Sequence, residues 1–473
     1  MKKINLFFVL IFSVLFSANA FSAGYQIDVT AAQKAGEDIY LAGYFNGKVY
    51  AFDTLKLNDK GKGVFADKKA LDEGLYLVYF NANRYYEFMV GAEQHLKVKI
   101  DTTKAENGFE ISGAPQTDAF VAMGNYMSEK RREQEILIKK LEEAGNDSLR
   151  RKAVEKQMEA LDDEVIAYQT SVAEANKGKV MGLFIDAMTA PRLPEDLRNG
   201  NGNDNDFLMR RYQYSKNHYW DNVNLADRRI WRLNFMTQKL DNFTQKMIFQ
   251  IPDSIAPEAI KLIEAARPDS VSYQLMTNYL INYSITSKIM GMDKVFVEIA
   301  RRYYLSGLAP WADSTTIKNI QTEVRKVQYN LIGMKGANLP LQKLDGTKFN
   351  LYDVNADFTL AIFYEPSCGH CRETLPKIHN VYEKFKDRSF EVVAVYMLTD
   401  KKEWTDFLDK NKFLDWTNAW DPDRESYYWQ FYDTSTTPGV YLLDKDKKII
   451  AKKFDAESLE RILNFELNKK EEK

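Results

Sequence analysis

Two cysteines, Cys368 and Cys371, are the only ones in 473 residues, and both lie in the stretch EPSCGHCRETLP, residues 365–376. The run before them, TLAIFY (Thr359–Tyr364), has the length and the β-branched, aromatic content of a buried strand. A short turn, Glu365-Pro366-Ser367, follows, and a helical pattern opens at the first cysteine. The first turn of a helix carries unpaired N–H groups and a partial positive charge, which favour a thiolate at Cys368. Two intervening residues, Gly369 and His370, leave Cys371 one turn deeper but within reach of the first sulfur. A disulfide between residues three apart closes a tiny loop and removes little chain entropy, so it is a weak staple. The pair suits thiol–disulfide exchange better: Cys368 attacks a disulfide and Cys371 resolves the mixed disulfide.

Other uses of a CxxC pair fit less well. Zinc needs two further soft ligands at matching spacing, and neither a second CxxC nor an HxxxH occurs, so no metal is expected. Covalent haem attachment needs CxxCH, and residue 372 is Arg. An imidazole at His370 would favour the Cys368 thiolate and make the pair a better oxidant; an exposed histidine without effect is the plain alternative. No cofactor beyond the Cys368–Cys371 disulfide itself is expected.

The N-terminus reads MKKINLFFVLIFSVLFSANAFSAGY. Lys2 and Lys3 precede an apolar run from Ile4 to Phe16, too short for a comfortable membrane span, and Ala18-Asn19-Ala20 and Phe21-Ser22-Ala23 offer small-residue cleavage sites. This is the layout of a secretory signal peptide over residues 1–23, without the cysteine that a lipid anchor needs. A periplasmic or otherwise extracytoplasmic protein is expected. The formal net charge of −2 gives no electrostatic case for nucleic acid as a partner.

Three zones follow. Residues 24–113 alternate in strand fashion (DIYLAGYF, KVYAFDTLKL, GLYLVYFN, RYYEFMV, HLKVKI) with Gly and Asn/Asp turns, which reads as a small β-sandwich-like domain. Residues 114–331 are helical in pattern. Two charged helices, residues 127–144 and 148–175, flank the turn Gly145-Asn146-Asp147 and predict an antiparallel hairpin. RNGNGNDND, residues 198–206, is a loop by composition; an EF-hand fails there because its sixth and twelfth positions are Asp206 and Tyr212. The aromatic and basic stretch YQYSKNHYWDNVNLADRRIW reads as helix faces packing on each other, and His218 alone makes no metal site. From residue 332 strands (Thr359–Tyr364, Phe390–Tyr396, Val440–Leu443, Ile449–Phe454) alternate with helices (Gly369–Lys384, Lys402–Lys410, Glu425–Tyr432, Ser458–Leu467), an α/β pattern.

Residues 332–467 resemble the thioredoxin superfamily, and within it the TlpA/ResA-type extracytoplasmic thiol-disulfide oxidoreductases. The resemblance rests on the lead-in KGANLPLQKLDGTKFNL, the CxxC after a strand, Pro376 five residues past the second cysteine, and the turn TTPGVYLLD. It implies a thioredoxin-like fold for 332–473, a cis Pro438, and a Thr437 backbone that pairs with the substrate chain. It also implies an added strand and helix between Val395 and Thr437. Two positions depart from the pattern. Ile362 stands where thioredoxin has a buried Asp, and Thr374 stands where this branch often has Glu, the glutamate being Glu373 one residue earlier. One residue turns a helix by about 100°. Glu365 and Glu373 are the carboxylates left as candidates to deprotonate Cys371.

The expectation is therefore an exported enzyme that exchanges thiols and disulfides with protein clients and is served by a membrane thiol reductant or oxidant. The branch suggests a reductase, whereas the Gly369-His370 pair resembles disulfide isomerases and suggests a more oxidising couple. A thiol peroxidase is a second possibility, although the usual Thr-x-x-Cys is absent because residue 365 is Glu. A docking or scaffolding protein is a third, with the upstream helices selecting clients or mediating self-association.

Overall fold

A computed structural model describes residues 24–104, 108–198 and 204–471. The expected signal peptide and most of the 198–206 loop lie outside the described residues. The chain forms two compact units, one of residues up to 248 with 264–275, the other of 249–263 with 276 onward. The helical stretch is thus shared between the units, where composition alone marks it as one zone.

The first unit begins with eight strands: β1 (Tyr25–Thr30), β2 (Asp38–Phe45), β3 (Lys48–Lys56), β4 (Lys62–Asp67), β5 (Gly74–Asn81), β6 (Arg84–Val90), β7 (His95–Ile100) and β8 (Phe109–Ser112). They make two four-stranded sheets, ordered β4-β1-β7-β8 and β3-β2-β5-β6. Ile27, Val29, Leu96 and Val98 of the first sheet share a core with Ile39, Leu41, Val78 and Phe88 of the second, so the β-rich zone is a sandwich. β5 does not alternate: all residues from Gly74 to Tyr79 are buried. Its second face, with Leu75 and Leu77, packs on Met123, Met181, Phe184 and Ile185. Those four come from helices α1 (Pro115–Glu143) and α3 (Val180–Met188). Burial on both faces explains why GLYLVYF is apolar throughout.

α1 and α2 (Ser148–Ala175) form the predicted hairpin. Gly145 takes the left-handed conformation of the turn (φ 52°), and the Asp147 carboxylate accepts from the N–H groups of Leu149 and Arg150, capping α2. The unit continues with α4 (Glu195–Arg198), α5 (Asn205–Asn217) and α6 (Met236–Asn242). The aromatic stretch packs, but only Tyr212–Asn217 of it is α-helical: Tyr219 and Trp220, in the turn after α5, contact Phe243, and Trp231, in a short 3-10 turn, is fully buried.

α7 (Pro252–Ala266) and α8 (Ser270–Thr286) belong partly to each unit; α9 (Asp293–Ile299) and α10 (Ser314–Val327) belong to the second. There a seven-stranded sheet runs β10-β9-β13-β12-β11-β14-β15. Its strands are β9 (Pro340–Lys343), β10 (Lys348–Asn350), β11 (Phe358–Tyr364), β12 (Phe390–Tyr396), β13 (Thr417–Trp420), β14 (Gly439–Asp444) and β15 (Ile449–Lys452). β11 is central, parallel to β12 and antiparallel to β14, and fully buried along its length. Its helices are α11 (Gly369–Phe385), α12 (Lys401–Asn411), α13 (Tyr428–Phe431) and α14 (Ala456–Glu471). One face of β11 (Leu360, Ile362, Tyr364) packs on α11 and α14, and the other (Ala361, Phe363) packs on Tyr428, Tyr432 and Tyr441. β13 and α12 supply the strand and helix expected between Val395 and Thr437. The expected helix Glu425–Tyr432 is shorter. Asp421 draws the N–H groups of Glu425 and Ser426 into a turn, and Arg424 and Tyr427 take positive φ, so helix begins only at Tyr428. At the end of β15, Lys452 is buried, bonds Asn330 at 2.8 Å and pairs with Asp293.

Candidate thiol active site

β11 ends at Tyr364, and the chain turns through Glu365, Pro366 and Ser367 into α11. The turn closes with the Cys368 N–H on the Glu365 carbonyl (3.2 Å), and the Arg372 guanidinium bonds the carbonyls of Pro366 (3.3 Å) and Ser367 (3.1 Å). Cys368 is therefore held at the N-cap of α11, as the sequence predicts. It is half-buried, Cys371 is buried, and both are free thiols.

The loop before β14 faces the two sulfurs. The Thr437–Pro438 bond is cis, as the resemblance implies. The Cys368 thiol donates to the Thr437 carbonyl at 3.4 Å. The Cys368 pKa is held below the ordinary thiol value, with the nearby Thr437 side chain as the leading cause and the N–H groups of Cys371 and His370 adding to it. Cys371 is pushed the other way, to about 11, because burial penalises its thiolate. One helix thus carries an accessible thiol biased toward the thiolate and a buried thiol held neutral.

The structure brings some predicted residues to the sulfurs through their backbones. His370 is exposed, and its contribution to Cys368 is its N–H group. Gly369 is exposed at the first position of α11. Glu365 is half-buried, and what it offers Cys371 is also a backbone N–H. Glu373 is exposed on α11.

Sequence reasoning missed Tyr364. It is buried, its hydroxyl accepts from Trp404 Nε1 at 2.9 Å, and burial raises its pKa, with Cys371 near enough to add to the rise. The signal was available: period two from Leu360 and Ile362 places Tyr364 on the face that meets α11. Sequence spacing also did not show that His379, Glu383 and Asp415 gather within 4.8 Å of one another, a little over two helical turns beyond Cys371. His379 bonds Asp415 at 2.9 Å, and Glu383 pairs with Lys386 at 2.8 Å.

This fold and this site define a thioredoxin-like domain. Residues 332–452 match the family model described as AhpC/TSA family, and residues 167–332 match one described as Domain of unknown function (DUF5106). Thiol-disulfide oxidoreductase ResA of Bacillus cereus is 26% identical over 136 residues, covering 28% of this chain and 76% of that protein. A thioredoxin-like protein of Haemophilus influenzae is 31% identical over 112 residues, 23% of this chain and 62% of that one. Among solved structures, a thioredoxin-like protein from Bacteroides caccae has 21% identity and a TM-score of 0.47, covering 59% of this chain and 98% of that one. The resemblance carried by the lead-in segment, the CxxC and the Thr-Pro turn stands. Among the described residues no helix is long and apolar enough to cross a membrane.

Proposed function

We propose that this protein is an extracytoplasmic thiol-disulfide oxidoreductase that works as a reductase. The observation that carries the thiol–disulfide chemistry is the split between the two thiols, Cys368 lowered and accessible at the N-cap of α11, Cys371 raised and buried; the reductase direction rests on the branch that the domain resembles. The Cys368 thiolate attacks a client disulfide, forms a mixed disulfide and expels one client sulfur as a thiolate. Cys371 then loses its proton and attacks Cys368 Sγ, which releases the second client thiolate and leaves a Cys368–Cys371 disulfide. Two electrons pass to the client, and a membrane thiol reductant restores the dithiol. Thr437, beside both sulfurs, is where the client backbone pairs. The upstream helices select clients or mediate self-association. The relatives named as thiol-disulfide oxidoreductases support the chemistry, and the signal-like N-terminus supports the compartment.

The test is trapping. Cys371→Ser should hold clients in mixed disulfides that dithiothreitol releases, and Cys368→Ser should abolish turnover of a small disulfide substrate. Full turnover in Cys368→Ser would sink the mechanism. Clients retained equally by Cys371→Ser and wild type, and not released by dithiothreitol, would favour a scaffold; catalytic consumption of peroxide would favour a thiol peroxidase.

A further inference from the structure

Phe363 is the point where the two halves of the thiol site meet. It lies on β11, five residues before Cys368, and its register partner on β14 is Gly439, the residue after Pro438. Tyr428, the first residue of α13, is buried and stacks on Phe363 with ring centroids 5.5 Å apart. The Tyr428 hydroxyl donates to the carbonyl of Met397, just beyond β12, at 3.5 Å. Tyr428 is thus an anchor at the carboxyl ends of two parallel strands, where the thiol turn begins and where open α/β sheets place their ligands.

The residues on either side of this anchor face solvent. Tyr427 is 52% exposed and Trp429 39%. Their rings meet edge to face at 5.6 Å, Trp429 also meets Tyr428 at 5.2 Å, and the Arg424 guanidinium lies 5.4 Å from the centre of the Trp429 ring. The backbone is committed to this display. Arg424 and Tyr427 take positive φ (58° and 47°), which is costly for side chains of this size, and the Asp421 carboxylate holds the turn by accepting from the N–H groups of Glu425 and Ser426. Tyr, Trp and Arg carry much of the binding energy at protein interfaces, and these three are fixed before anything binds. Exposed rings gain most from being covered by another large apolar side chain.

We propose that Tyr427 and Trp429 form a rigid aromatic platform that receives a large apolar side chain of the client, close in sequence to the cysteine that Cys368 attacks. The proposal rests on the thiol reading above and names the client chemistry that the site prefers.

The experiment uses the reduced full chain and two synthetic peptides. Each carries a single cysteine in a mixed disulfide with thionitrobenzoate, and either Phe or Ala stands two residues from that cysteine. The Cys368 thiolate bonds to the peptide sulfur and expels thionitrobenzoate, whose colour reports the initial rate. The wild type should react about tenfold faster with the Phe peptide than with the Ala peptide. Trp429→Ala should bring that ratio to within about threefold, and so should Tyr427→Asn, since Asn tolerates positive φ. Phe465→Ala removes an exposed ring on α14 and should keep the tenfold ratio. A wild-type ratio near one, a ratio that persists in Trp429→Ala, or one lost as fully in Phe465→Ala overturns the proposal. If Trp429→Ala does not fold, Tyr427→Asn decides by the same ratio. Release from neither peptide sinks the thiol reading and the platform with it, whereas equal release from both sinks the platform alone.

Discussion

With Cys368 replaced by Ser, Cys371 is the only thiol left in the chain. Its pKa in the folded protein is about 11, with burial as the leading cause, and that cause survives the substitution. An ordinary thiol has a pKa of about 8.5, so at pH 8 about a quarter of it is thiolate. A thiol at about 11 is thiolate only about one part in a thousand at that pH. Since the thiolate is the nucleophile, Cys371 should react with iodoacetamide about 200-fold more slowly than a free thiol at pH 8, before any hindrance from burial. The sign is fixed by the direction of the shift: a raised thiol pKa keeps the group neutral through the physiological range, and reactivity appears only as pH climbs toward 11. The assay is a stopped alkylation series from pH 7 to the highest pH at which the fold persists, read by mass spectrometry. Removing the Cys368 sulfur takes away two smaller contributions that also raise the Cys371 value, so a midpoint somewhat below 11 is consistent. A midpoint near 8.5 in the folded protein would refute the argument that burial keeps Cys371 in reserve until a mixed disulfide forms.

Three further outcomes follow from the same contacts. Thr437→Val deletes the hydroxyl of the side chain that leads the lowering of the Cys368 pKa, so the alkylation midpoint should rise and the rate below it should fall about fivefold; an unchanged midpoint would mean that the helix amides alone hold the thiolate. Asp293→Ala leaves Lys452 buried without its counter-ion and should cost about 3 kcal/mol in urea unfolding, while adding Lys452→Met should recover most of the loss; a single variant as stable as wild type would contradict this account of the pair. Asp147→Ala removes the cap of α2 and should cost about 1 kcal/mol locally, seen as roughly fivefold faster amide exchange in the first turn of that helix; unchanged exchange there would show that packing, not the cap, starts the helix.

The parts of the fold that were legible are those where local pattern and tertiary role agree. β12 spans Phe390–Tyr396 as read, because FEVVAVY is strand-like and has a strand on either side. β13, Thr417–Trp420, carries an asparagine and only four residues, so nothing local marks it; it is a strand because β12 and β9 supply its hydrogen-bonding partners. The helix expected from Glu425 fails for the opposite reason: its composition suits a helix, but the Asp421 side chain takes the amides that would start one. At the site, the cysteines and the Thr-Pro turn stood out because their spacing is local. Of the candidate carboxylates, Glu373 sits at an exposed position of α11, and Glu365 is half-buried and meets Cys371 through its amide. Tyr364 and Trp404 are 40 residues apart, and only the fold brings the hydroxyl to the indole.

That indole has a practical use. Trp404 is fully buried, stacks on Tyr396 with ring centroids 5.4 Å apart and an interplanar angle of 2°, and is bonded to the hydroxyl beside Cys371. A fluorophore fixed in this way cannot reorient freely, so a change of charge or bonding at the neighbouring sulfur reaches it through a single hydroxyl. The chain has seven tryptophans, so the part of the emission that Trp404→Phe removes is the part expected to change when the dithiol is oxidised, and it is read without a label on either cysteine.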